Sequence, residues 1–523
     1  MLRKLTCVCS LSLLVLAGSN ARSAPQGRGS QRAAVGAKVE ALVDQLKTAK
    51  RPEKRRSAVK KLAAMGGELA CEAVFLALED RDGQVADTAQ ILLAGLDGDG
   101  VLSAALGKQG LRHRNAWVRL RVAEALGRWH GPIAIKALTK RLSVKDDQVA
   151  GALLWSIERL HGRGELDGDF AKAARRVEAC LARNAPPELR ARALFTAELL
   201  APDLKGRRLR KGLRDRDAQV RSAALLGLEL HAVGAGAAGQ VTLLKEASRS
   251  AGDIAPGTRM VASAVLGRIR TPAALGVLVD RLGLEERTAV KASLLRILQQ
   301  TTGLRYRLDP RPWRQFLESM DPAERIEGVV AGDRGEANRS SSSAEGFPVH
   351  SDRAAFLVDL SGSVWNQRED GRTRKQLVDD MLESTLESLP EDSFFNVTAY
   401  TADLHPWRQA LCRARRKHTQ SAMAFFRELR VTGPGDVWTA TQASFLDPDL
   451  DTIVLVTDGA PTGGQRWDLD LMLELFAQET RWRPIRFDVV LIDSSPRLVK
   501  RWQSLADRTG GTCTEIHFRA QGG

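Results

Sequence analysis

The 523-residue chain is poor in aromatic residues, which make up 5% of it, and poorest in tyrosine, with two against ten tryptophans. Ala, Leu and Arg dominate instead, a balance that predicts long helices over aromatic-rich strands in the first half. Cysteine is also scarce. None of the six stands in Cys-x-x-Cys or zinc-type spacing, which argues against a structural zinc site and a disulfide framework. The eight histidines lack His-Glu-x-x-His spacing, so no zinc hydrolase of that kind is expected. With 43% hydrophobic and 27% charged residues, the composition is that of folded globular domains and excludes collagen-like or disordered classes. At about 150 residues per domain the length suggests two to four of them. Basic residues exceed acidic ones, 78 to 63, giving a net charge of +15 that suits an acidic partner and names none.

The one membrane-type stretch lies at the start. Arg3 and Lys4 precede an apolar run through Ala17, followed by Ala21 and Ser23 in Ala-x-Ser register. The run is shorter than the ~20 residues that span a bilayer, so residues 1–23 read as a cleavable export signal. The mature chain is then expected to be periplasmic, at the cell surface or extracellular, without a transmembrane span. Cys7 and Cys9 would leave with the signal. Cys71, Cys180, Cys412 and Cys513 would remain, and the last two read more readily as small buried hydrophobes than as a pair.

Residues 35–301 carry a repeated phrase. Its apolar centres are Val85, Val118, Val149, Leu189, Val220, Met260 and Val290, 30 to 40 residues apart. Each opens a stretch with small and branched residues at i, i+3, i+4 and i+7, the mark of an amphipathic helix. The preceding turns, such as Asp80-Arg-Asp82 and Asp215-Arg-Asp217, offer carboxylates as helix caps. Helix pairs of this kind cannot bury their apolar faces alone and stack into a solenoid. The segments from Asn115 to Gly127 and from Asp217 to Gly227 resemble the second helix of HEAT-type repeats, which implies a curved protein-binding scaffold without chemistry of its own. The basic clusters Lys172–Arg176 and Arg207–Lys211 would line its surface. Residues 302–319 read as a cap with Trp313 in the core, and 320–349, rich in Ser, as a flexible linker that predicts relative motion of the two halves.

From residue 350 to 523 short apolar runs alternate with helical stretches. Strands are expected at 354–360, 394–399, 452–457 and 485–492, and helices near 370–389, 417–429, 468–480 and 496–508. This is the pattern of an α/β doubly wound sheet, whose functional loops follow the carboxyl ends of the strands. Two such loops read Asp359-Leu-Ser361-Gly-Ser363 and Thr457-Asp458-Gly459. Together they resemble the von Willebrand factor A (VWA) domain and its metal-ion-dependent adhesion site.

The resemblance implies that Ser361 and Ser363 supply hydroxyl oxygens and Asp359 and Asp458 carboxylates to Mg²⁺, or to Ca²⁺ or Mn²⁺. Hard cations of this type take oxygen ligands, and an open position would receive a partner's carboxylate. The family's loop threonine is missing: Gly435 stands at its place. Thr432 or Thr439 could substitute, and Asp436 could add a carboxylate. Trp365, Trp438 and Trp467 follow the three loops and suggest an aromatic rim, with Trp438 also read as core.

These readings converge on an exported, non-enzymatic binding or adhesion protein, a HEAT-like solenoid joined to a VWA domain. The alternative is a metal-independent assembly scaffold that binds acidic partners through its basic helical surface. A hydrolase would need a base beside Ser361 or Ser363, and no histidine is placed with a loop that lacks Gly-x-Ser-x-Gly. A nucleic-acid role would rest on charge alone and conflicts with export.

Overall fold

The computed structural model describes residues 27–96, 99–203, 205–232, 234–321, 346–347, 349–366 and 371–517, with the side chains of 27–35, 67–70, 99 and 363 left aside. The export signal and most of the linker lie outside the described residues. Eight helices form a continuous row: α1 (Pro52–Met65), α2 (Gly83–Leu93), α3 (Ala116–Leu126), α4 (Asp147–Gly162), α5 (Pro187–Leu200), α6 (Ala218–Ala232), α7 (Pro256–Ile269) and α8 (Thr288–Thr302). Each packs on the next. Further helices, among them Gly67–Ala77, Phe170–Val177, Arg207–Gly212 and Pro272–Leu284, pack against the row. The predicted caps are present: Asp82 and Asp217 accept the backbone N–H of Gln84 and Gln219 at 2.9 Å.

A ladder of ion pairs runs along the row. Arg55, Arg119, Arg190, Arg221 and Arg259 each stand one turn into a helix and reach a carboxylate 25 to 32 residues on, at Asp80, Asp146, Asp215, Asp253 and Glu285. The distances are 2.7 to 2.8 Å. Two-pronged contacts such as Arg221–Asp253 fix the rotation of one helix pair against the next. The last rung changes partner. Arg287, at the start of α8, donates to Asp451 at 2.8 Å, and Thr288 N–H donates to Asp352 at 2.6 Å, both in the α/β half. Trp313, in the closing helix Pro310–Glu318, is buried and donates to Arg307 O at 2.9 Å.

The second half alternates strands and helices: β1 (Arg353–Asp359), α9 (Arg374–Ser388), β2 (Phe394–Tyr400), β3 (Leu404–Pro406), β4 (Cys412–Arg413), α10 (Arg416–Glu428), α11 (Val437–Phe445), β5 (Thr452–Thr457), α12 (Leu469–Glu479), β6 (Arg486–Ile492), α13 (Pro496–Thr509) and β7 (Cys513–Ile516). The sheet order is β3-β2-β1-β5-β6-β7, with β4 also on β2. β1, β2, β5, β6 and β7 run parallel and β3 and β4 antiparallel, so the sheet is mixed at one edge. Burial on both faces explains the nearly unbroken apolar runs of β1 and β5. The chain leaves β1 toward β2 on one side and returns to β5 on the other, which opens a crevice at their carboxyl ends. Cys71, Cys180, Cys412 and Cys513 are free thiols. Among the described residues no helix is long and apolar enough to cross a membrane.

Candidate functional site

Asp359 closes β1 in the centre of the sheet and is 4% exposed. One carboxylate oxygen accepts Ser361 N–H at 2.8 Å and the other accepts the Thr457 hydroxyl at 3.0 Å, so the first and third loops are tied through it. Burial pushes its pKa up to about 6; the hydrogen bonds from Ser361 restrain the rise and the Asp458 charge adds to it. Ser361 is buried beside it. Ser363 lies in the helical turn Gly362–Trp365, and its side chain is outside the described residues. Asp458 follows β5 directly and accepts Ala460 N–H at 3.2 Å. Tyr400, the residue paired with Asp359 on β2, is fully buried, and burial together with the Asp359 charge raises its pKa.

Gly435 stands against this carboxylate. A Cβ there would lie 3.2 Å and 3.3 Å from the two Asp359 oxygens. The backbone therefore brings the expected threonine position to the site, without the hydroxyl. Gly435 N–H instead donates to the Thr462 hydroxyl at 2.6 Å, a bridge to the third loop absent from the sequence reading. Thr432 lies near the first loop, its hydroxyl 3.8 Å from where a side chain on Gly362 would begin. Thr439 and Asp436 are engaged with each other: Asp436 caps α11, accepting Thr439 N–H at 3.0 Å and its hydroxyl at 2.7 Å. These contacts point the Asp436 carboxylate at Gly464, where a Cβ would stand 2.3 Å from its carbon.

The three tryptophans do not form one rim. Trp365 is half-buried and donates to Val431 O at 2.9 Å, which joins the first loop to the second. Trp438 stacks on Phe476 of α12 with centroids 5.1 Å apart, the core-side position read as its alternative. Trp467 faces the helical row, with the Arg56 guanidinium 4.3 Å above its ring.

The donor set suits a hard divalent cation. Asp359 and Asp458 supply carboxylates, and Ser361 can add a hydroxyl. Burial first, and the Asp458 charge after it, raise the proton affinity of Asp359, and a cation would offset both. Among the described residues no group of three or more His, Cys, Asp or Glu is gathered that could hold a metal. An ion at this place would thus need hydroxyls and water beside the two carboxylates.

The third loop does more than carry Asp458. It enters the helical row between α2 and α3, and at its tip Gly464 O accepts Gly83 N–H at 3.1 Å. Arg466 donates to Gln90 at 2.9 Å and to Glu124 at 2.6 Å. Asp87 accepts Trp467 N–H and Asp468 N–H at 2.6 and 2.9 Å and pairs with Arg121, which in turn donates to Gln465 O. Asp87, Gln90, Arg121, Glu124 and Arg466 are each at most 3% exposed. Two acids and two bases thus meet out of water, each with a partner, as buried charges require. Outside this core Glu474 pairs with Arg128 and Arg159, and Arg481 with Glu158 at 2.7 Å. The relative motion predicted from the linker gives way to a docked arrangement, because polar side chains of α2 and α3 match those of the loop.

No family model matches the chain. Among curated proteins, human (Homo sapiens) von Willebrand factor A domain-containing protein 3B is 23% identical over 172 residues, covering 32% of this chain and 12% of that protein. This likeness supports a VWA domain in the part of the chain it covers. Inter alpha-trypsin inhibitor heavy chain 4 of Mus musculus is 26% identical over 133 residues, 23% of this chain and 14% of that protein. The match thus spans only a small part of these curated relatives. Among solved structures, a von Willebrand factor type A protein from Catenulispora acidiphila is 22% identical with a TM-score of 0.26, covering 31% of this chain and 38% of that one. The Ro (RSR) protein of Deinococcus radiodurans is 15% identical with a TM-score of 0.20, covering 96% of this chain and 92% of that one.

Proposed function

We propose that this chain is an exported, non-enzymatic binding protein whose VWA domain engages a partner's carboxylate through a divalent cation held by Asp359, Ser361, Ser363 and Asp458. The helical row serves as a HEAT-like solenoid that scaffolds the interaction. The observation that carries the reading is the Asp359 carboxylate, buried at the switch point of the sheet and tied to both flanking loops. When bound, the cation would supply a Lewis-acidic position for an oxygen of the partner. Asp359 orients the Ser361 backbone and the Thr457 hydroxyl, and Gly435 leaves open the space that a threonine would fill. A likeness to curated VWA proteins supports a role in protein interaction.

Calorimetric titration of Mg²⁺, Ca²⁺ and Mn²⁺ into the chelator-treated full chain tests this. Binding in the wild type that is lost in Asp359→Ala is the expected result. Silence with all three ions would sink the reading.

A second reading draws on the helical surface. Arg208 of the helix Arg207–Gly212 pairs with Glu178 beside the helix Phe170–Val177 at 2.7 Å, which brings two basic clusters together. Lys172, Arg175, Arg207, Arg210 and Lys211 are exposed there, and an acidic partner bound without any ion would favour this surface.

A further inference from the structure

The third loop is held from two sides. Its near end belongs to the α/β half: Ser494 Oγ donates to Asp458 O at 2.8 Å, and Trp502 Nε1 to Gly459 O at 3.0 Å. Its far end belongs to the helical row. From Gly464 to Asp468 every residue is bonded to α2 or α3. Gly464 O accepts Gly83 N–H, Gln465 O accepts Arg121, Arg466 donates to Gln90 and Glu124, and Trp467 and Asp468 N–H donate to Asp87. Local preference does not fix the path between these ends. The loop turns at Gly459 and Gly464, with φ of +95° and +90°, and glycine populates either sign of φ about equally.

Between its two ends the third loop lies backbone to backbone on the second. Thr462 and Gly463 N–H donate to Gly435 O at 3.2 and 3.1 Å, and Gly435 N–H donates to the Thr462 hydroxyl at 2.6 Å. The fit leaves no room for side chains: a Cβ on Gly463 would stand 2.7 Å from Pro434, and one on Gly464 would overlap the Asp436 carboxylate. On its other side Gly435 closes on Asp359, where a Cβ would fall 3.2 Å from the nearer oxygen. The second loop is thus a wedge between the buried carboxylate and a piece of chain bonded at its far end to the helical row. Close-packed interiors have little compressibility and transmit displacement.

We propose that α2 and α3 hold the second and third loops in the geometry that binds the divalent cation, so that docking of the helical row and occupancy of the ion site are coupled. The coupling presupposes the cation proposed for Asp359, Ser361, Ser363 and Asp458. Gly83, Asp87 and Glu124 are positioning residues, acting on the site through the third loop. Such coupling is reciprocal: a bound cation tightens the docked arrangement by the factor by which docking tightens the cation. Binding at the ion site is thereby reported to the helical row.

The test uses the full chain, Mg²⁺ and three variants. Gly83→Ala displaces the tip of the third loop through a Cβ 2.6 Å from Gly464 O, and Asp87→Ala removes the acceptor of two loop N–H groups. Arg287→Ala loosens the other contact between the halves, at Asp451, which precedes the start of β5 rather than following its carboxyl end. Calorimetry is expected to show Mg²⁺ bound about tenfold more weakly by Gly83→Ala and Asp87→Ala, a typical coupling between sites, and as in the wild type by Arg287→Ala. Should Asp87→Ala fail to fold, Gly83→Ala, which alters no charge, carries the test. In chelator, hydrogen exchange at Gly435 and Asp436, whose N–H groups donate to the Thr462 hydroxyl and to Thr401 O, is expected to quicken in Gly83→Ala and not in Arg287→Ala.

Wild-type Mg²⁺ affinity in Gly83→Ala, or an equal loss in Arg287→Ala, would overturn the proposal. If the wild type itself binds no ion, the ion reading falls and exchange alone decides. Unchanged exchange at Gly435 and Asp436 then overturns the hold of the helical row on the site, and faster exchange upholds it.

Discussion

The guanidinium of Arg466, on the loop that follows β5, donates to the carboxylate of Glu124, 342 positions earlier in the chain, at 2.6 Å. Both side chains are almost wholly out of water. The loop that ends at Arg466 begins at Asp458, so the candidate ion site and the junction with the helical row share one short piece of chain. Between the two lie the Thr462–Gly435 bridge and the contact of Gly464 with Asp436.

Truncating one partner of this pair strands the other. Arg466→Ala leaves Glu124 and Asp87 with reduced compensation in a dry junction, and the expected loss is about 3–5 kcal/mol. Urea unfolding measures it. Replacing Arg466 by Met together with Glu124 by Leu is expected to recover part of that loss, because a buried ion pair is worth little more than apolar groups of the same size.

Gly83→Ala addresses the junction without touching a charge. Gly83 has helical backbone at the start of α2, where alanine is favoured. Its Cβ, however, would meet Gly464 O at 2.6 Å. The expected outcome is an intact helix and a displaced loop, seen as faster hydrogen exchange over residues 459–468 with unchanged far-UV circular dichroism. Unaltered exchange in that loop would contradict the docked arrangement.

Gly435→Thr should act with opposite signs on two states. The new Cβ crowds the Asp359 carboxylate at 3.2 Å, so the metal-free protein is expected to lose about 1–2 kcal/mol, as for overpacking. The added hydroxyl is expected to raise Mg²⁺ affinity about tenfold, which corresponds to 1.4 kcal/mol. Thermal midpoints with chelator and with excess Mg²⁺ would separate the two effects.

Glu479 gives the pH dependence a sign. Its folded-state pKa, about 8, lies above the ordinary value of 4.5. Between those values the folded chain holds a proton that the unfolded chain has released, so this group's contribution to stability falls as pH rises from about 4.5 to 8. Glu479→Gln can keep the contact with Gln442 and removes the titration. It is expected to flatten the thermal midpoint against pH in that window and to exceed the wild type above pH 8. A wild-type slope that persists in the variant would assign the effect to another group.

Much of the fold was legible because it depends on local pattern. The apolar runs of β1, β2, β5 and β6 were placed to within one or two residues, since a strand buried on both faces leaves an unbroken signal. β3, β4 and β7 are edge or terminal pieces of two to four residues, too short to show a period, and α11 was hidden behind the loop that leads into it. The arginine ladder left a trace in the repeated Val-Arg of Val118-Arg119 and Val220-Arg221. Its acidic partners could be read as caps but not as rungs. Asp87, Arg121 and Glu124 looked like ordinary charges in amphipathic helices, because nothing in a helical period says that another domain will cover that face.

The sequence by itself determined the two architectures and the three loops that meet at Asp359, because helix and strand periods and a strand-end motif depend on neighbours a few residues apart. Tertiary structure alone decided where the tryptophans point, what Asp436 does, and that the third loop is buried in the helical row. Those outcomes depend on which side chains complement each other across more than three hundred residues. A charge leaves water only where its counterpart is already waiting.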